Sequence, residues 1–142
     1  MDAQALVVTN LASLMVGVIG GYALQFLAAR RAQQERKALM DLATIERCIE
    51  IFNARVEYIV AYHSRTASVR DDRQREYHAL YYGNLHALPE THVDEATWQV
   101  WMRAERDARD GTRPLPERMS QVKDARLTVL NWLTARRESL AA

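Results

Sequence analysis

The chain carries a single cysteine, Cys48, in 142 residues. That excludes an intrachain disulfide framework and a zinc site built from several thiolates. Three prolines and five glycines leave long stretches with neither breaker. No segment shows the apolar–polar alternation of a strand, and no internal repeat is present. Lysine is scarce: of nineteen basic residues only Lys37 and Lys123 are lysine. Eighteen acids nearly balance the nineteen bases, for a formal net charge of +1. This excludes a polybasic nucleic-acid module and an acidic tail at the level of the whole chain.

The most informative absence is local. Between Asp2 and Arg30 there is no Asp, Glu, Lys, Arg or His, and residues 3–29 read AQALVVTNLASLMVGVIGGYALQFLAA. About 20 apolar residues cross a bilayer core at 1.5 Å per residue, so this run is long enough to span with some tilt. A cleaved signal peptide needs a basic start and a shorter apolar middle. Here the start is Met1-Asp2-Ala3-Gln4, and Arg30-Arg31 follow the run directly. The sequence therefore predicts a single transmembrane span over 1–29.

Basic residues stay on the cytoplasmic side of a span. Arg30, Arg31, Arg36 and Lys37 follow this one and are its expected topology determinants. The N-terminus is expected outside and the C-terminal part in the cytoplasm, where a lone thiol needs no oxidised partner. A bias to Arg and Ala suggests a G+C-rich bacterial gene, and with it the bacterial inner membrane.

One face of the span is small or polar. Ala5, Thr9, Ser13, Gly17, Gly21 and Gln25 recur at intervals of four. In lipid, small residues let helix backbones approach, and side-chain hydroxyls or amides bond across the contact. Thr9, Ser13, Gly17, Gly21 and Gln25 are the expected packing face for a second copy or for a partner membrane protein.

From Arg30 to Tyr62 there is no Gly or Pro. Leu39, Leu42, Ile45, Ile49, Phe52, Val56 and Ile59 fall three or four apart, a helical stripe with bundle or coiled-coil spacing. The span is expected to continue into this helix, with 30–44 as a polar juxtamembrane stalk and 45–142 as a cytoplasmic bundle. The polar stretch 64–72 reads as a connection. A second helix is expected over 72–88, weakened by Gly83 and ended by Leu88-Pro89. Asp94 is a good N-cap for a third helix running to about Asp110, with Val93, Trp98, Trp101, Met102 and Ala108 as core. A fourth should start at Pro116-Glu117, with Met119, Val122, Val129, Leu130, Leu133 and Leu140 on its apolar face. The fold class is all-α: one N-terminal span leading into a small antiparallel bundle. Tyr58, Tyr62, Tyr77 and Tyr81 should meet where the first two bundle helices turn back on each other.

Motifs that carry chemistry are missing. The histidines, at 63, 78, 86 and 92, have no metal-ligand spacing, although His86, Glu90 and His92 lie near one connection. Cys48 sits beside the apolar stripe and reads as a structural thiol. Arg103, Arg106 and Arg109 interleave with Glu105, Asp107 and Asp110, the pattern of a solvated, ion-paired face. No cofactor, metal, nucleic-acid partner or enzymatic activity is expected. The expected function is a membrane-anchored accessory or scaffold protein that docks a partner through its span and its bundle. The alternative is a membrane-tethered regulatory or defence effector whose bundle senses a signal.

Overall fold

The computed structural model describes the backbone from Ala3 and the side chains from Met15 onward. Among the described residues every regular element is helical: α1 Ala3–Ser64, α2 Ala67–Gly83, α3 Pro89–His92, α4 Glu95–Arg109 and α5 Leu115–Ala141, with a 3-10 turn at Leu85–Ala87. The chain divides into two compact units, Met1–Leu39 and Met40–Ala142, and α1 contributes residues to both.

In the N-terminal unit every side chain from Met15 on is exposed. Among the described residues no helix is long and apolar enough to cross a membrane. The expected span covers 1–29, and its side chains 1–14 lie outside the described residues. From Met15 to Ala29 a helix rises only ~22 Å, short of a hydrocarbon core of ~30 Å.

The C-terminal unit is built around one core. Ile45, Cys48, Phe52, Val56 and Ile59 of α1 pack with Val93, Trp98, Trp101, Ala104 and Ala108 and with Val122, Ala125, Val129 and Leu133 of α5. Phe52 meets Trp101 edge-on, ring centroids 4.9 Å apart at 78°. The stripe on α1 becomes effective at Ile45: Leu39 is exposed and Leu42 half-buried. A second, smaller cluster of Ile51, Ala87 and Leu88 sits on another side of α1, with Tyr77, Leu80 and Tyr81 against it. A single stripe could not anticipate that contact, because α1 is covered from two directions.

Helix boundaries follow local chemistry. Asp94 caps α4, its carboxylate accepting the Thr97 N–H at 3.0 Å. Leu88 is extended (φ −71°, ψ 132°), as a residue before proline must be. Arg118 Nη1 donates to Ala108 O at 2.7 Å, tying α5 back to the end of α4 across the short connector.

Two expectations about α2 need correction. It starts at Ala67, so the connection shrinks to Arg65-Thr66 and the polar residues 67–72 are helical. They have no breaker among them, and a polar helical turn needs no burial when it faces water. It ends at Gly83 instead of Leu88, where Asn84 donates from Nδ2 to Leu80 O at 2.8 Å and from its N–H to Tyr81 O. No residue of α2 is fully buried.

Trp101 is 0% exposed. Trp101→Ala should lower the stability of the C-terminal unit by ~3–5 kcal/mol, read from chemical denaturation followed by circular dichroism. Asp94 gives a pH signature. Its hydrogen bonds to Thr97 hold its carboxyl below the ordinary Asp value. The stability it contributes is therefore present above the unfolded value and lost as pH falls through the lower folded one. Asp94→Ala should flatten the acid side of a plot of Tm against pH relative to the parent chain.

Candidate functional site

Three features can carry function: the exposed helix of the N-terminal unit, a buried ionic node in the C-terminal unit, and a groove beside that node.

On the exposed helix, Gly17, Gly21 and Gln25 fall within the described side chains, whereas Thr9 and Ser13 lie outside them. Among the described residues, a Cβ added at Gly17, Gly20 or Gly21 would meet nothing within 4 Å. Large apolar side chains around them are solvent-facing in this chain: Met15, Val16, Val18, Ile19, Tyr22, Leu24, Phe26 and Leu27. Arg30, Arg31, Arg36 and Lys37 follow, all exposed.

The ionic node joins α1 to α4. Arg55 Nε and Nη2 both donate to Glu105 Oε2, at 3.0 and 2.8 Å. Arg109 Nη2 donates to Glu105 Oε1 at 2.9 Å. The Arg55 and Glu105 side chains are 16% and 8% exposed. Burial alone would lower the Arg55 pKa, but Glu105, together with Tyr77 and Glu90, more than reverses this and holds it above its ordinary value. The guanidinium also lies 5.4 Å from the Trp98 ring centroid and 6.0 Å from that of Tyr77. Burial pushes the Tyr77 phenol up to about 12.

Glu105 was expected on a solvated face of α4; it is buried instead. Trp98, Trp101, Glu105 and Ala108 are spaced three, four and three apart, so Glu105 lies on the apolar stripe. Arg55 lies on the α1 stripe in the same way, between Phe52 and Ile59. An opposite charge on each of two facing stripes is the signal that the interleaved-charge pattern conceals.

The tyrosines meet as expected. Tyr58 and Tyr77 stack with centroids 6.0 Å apart at 10°, and each packs edge-on with Tyr62 or Tyr81 on its own helix. Tyr58, Ile59, Tyr62, His63 and Arg109 line an open groove of about 320 Å³. His63 Nε2 is buried there without a hydrogen-bond partner. Burial, then Arg118 and Arg109, lowers the His63 pKa.

Nucleophilic chemistry finds little purchase in this arrangement. Cys48 is fully enclosed, and burial together with the nearby Glu90 pushes its thiol up to about 12. At neutral pH it is not a thiolate. Near the 86–92 connection, His92 Nε2 contacts the His86 carbonyl at 2.7 Å and Glu90 accepts from Tyr81 at 2.8 Å. Among the described residues no group of three or more His, Cys, Asp or Glu is placed to hold a metal ion.

Comparison with known protein families, with characterised proteins and with solved structures finds no match to this chain.

The ionic node yields a prediction. Removing one member of a buried pair strands the other, at a cost of ~3–5 kcal/mol. Arg55→Met should destabilise the chain by about that amount, whereas Arg55→Met combined with Glu105→Leu should recover most of the loss. Urea denaturation of the single and double variants measures the coupling directly.

Proposed function

We propose that this chain is a single-pass membrane-anchored accessory or scaffold protein, docking a partner through its span and its cytoplasmic helical bundle. The observation that carries this reading is the uncovered apolar surface from Met15 to Leu27. Tyr22 is 71% exposed and Val16 72%. At about 100° per residue, Met15, Ile19, Tyr22 and Phe26 share one side, Val16 and Leu27 lie about 100–120° round from Met15, and Leu24 stands opposite. Gly17, Gly21 and Gln25 fill most of the remaining arc. A helix lying in the plane of an interface would keep one face polar and charged. This one is apolar on three sides, as a span facing lipid requires.

The orientation rests on Arg30, Arg31, Arg36 and Lys37, which would hold the C-terminal unit in the cytoplasm. The bacterial inner membrane is the location this reading implies. The exposed surface of the C-terminal unit would serve for docking.

The test is membrane fractionation of cells making the full chain. The protein should stay in the pellet through alkaline carbonate washing. Green fluorescent protein fused after Ala142 should fluoresce, and alkaline phosphatase fused there should be inactive. Release into the carbonate supernatant would sink the anchor. An active phosphatase without fluorescence would reverse the orientation.

A second measurement addresses the packing face. A Cβ added at Gly17 or Gly21 meets nothing within 4 Å among the described residues, so the substitutions test for a neighbour from outside them. Gly17→Ile and Gly21→Ile should weaken association in a transmembrane-pairing reporter or in co-purification, while Val18→Ile should not. Unchanged association in both assays would remove the face from consideration.

A further inference from the structure

We propose that residues 30–37 form a cationic collar that binds anionic phospholipid headgroups at the membrane surface; this rests on the membrane reading above. Ten residues, Arg30 to Leu39, hold four cations and one acid, Glu35, and all are exposed. Arg31 and Glu35 stand four apart, a spacing at which an ion pair can form. That pair is not made. Among the described residues the salt bridges involve Arg47, Arg55, Arg73, Arg75 and Arg109, and none of the four cations here. Among the described residues the four cations therefore have no salt-bridge partner, and Glu35 and Asp41 offset only half of their charge.

Its distribution says what kind of anion fits. Taking Arg30 as origin, Arg31 lies about 100° round the helix, Arg36 about 240° and Lys37 about 340°. The charge encircles the helix instead of forming a stripe. A linear polyanion such as a nucleic acid would meet only part of it, whereas a layer of headgroups pierced by the helix meets all of it. The axial positions agree. Arg30 and Arg31 directly follow the apolar run. Arg36 and Lys37 lie ~9–11 Å farther along at 1.5 Å per residue. The headgroup layer is roughly 5–8 Å thick on each side, and charge beyond it is felt over a Debye length of about 8 Å. Both pairs therefore fall inside the field of an anionic leaflet. Each surface cation near such a leaflet changes partitioning by roughly fivefold.

The test uses the full chain in nanodiscs of phosphatidylcholine with a minority of phosphatidylglycerol. Lipids retained on the protein are counted by native mass spectrometry after release. The expected result is phosphatidylglycerol enriched about fivefold or more over the bulk ratio. The enrichment should fall in steps with Arg30→Gln/Arg31→Gln and then Arg36→Gln/Lys37→Gln, and shrink in high salt. Glutamine keeps helix propensity at these exposed positions, and circular dichroism verifies that the variants remain folded. Wild-type chain that enters the nanodisc but retains lipid at the bulk ratio overturns the collar alone. Enrichment that survives in the fourfold variant does the same. Chain that never enters the nanodisc overturns the membrane reading and the collar with it.

Discussion

The C-terminal unit depends on the wedge of Phe52 between two tryptophans. Trp98 and Trp101 stand one turn apart on α4, and Phe52 meets both edge-on, at 6.2 and 4.9 Å between centroids. Edge contact sets the positive rim of one ring against the negative face of another, and three large side chains leave water together. Val122, Val129 and Leu133 of α5 enclose the same core. That dry setting makes the neighbouring Arg55–Glu105 contact strong, because a charge pair is screened far less where water is excluded.

Apolar packing alone tolerates several alignments of two helices. The ionic node narrows the choice. A slide of α4 by one turn would leave Arg55 and Glu105 desolvated and apart, which costs several kcal/mol for a buried pair. With the observed alignment the guanidinium gives the carboxylate two donors, and its carbon lies 5.4 Å from the Trp98 ring centroid and 6.0 Å from that of Tyr77. Stability from the aromatic wedge and uniqueness from the ion pair are thus separate contributions made by adjacent residues.

Much of this architecture was legible in the sequence. The three-and-four spacing from Ile45 to Ile59 is local information, and so are the Asp94 cap and the pre-proline kink at Leu88. The meeting of Tyr58 with Tyr77 followed from an antiparallel turn-back of the first two bundle helices. What escaped were properties that depend on partners distant in the chain. Glu105 looks like one acid among alternating charges until Arg55, fifty residues earlier, is placed against it. Ile51 and Ala54 lie off the main stripe and are buried, Ile51 because Ala87 and Leu88 cover a second side of α1. The start of α2 was misplaced because polar residues fit a solvated helix as readily as a loop. On the exposed helix, Gly17, Gly21 and Gln25 of the expected packing face are solvent-facing, while Thr9 and Ser13 lie outside the described side chains.

The attachment of α2 has a consequence for how the domain comes apart. Its contacts run through half-buried Tyr77, Leu80 and Tyr81 onto a cluster of three buried residues, while α1, α4 and α5 share the main core. Regions with few buried apolar contacts open at lower free energy than the whole. On that ground α2 should open at lower free energy than the core that α1, α4 and α5 share. Its departure would strip Tyr77 from the Arg55 guanidinium and remove Tyr77, Leu80 and Tyr81 from the cluster of Ile51, Ala87 and Leu88.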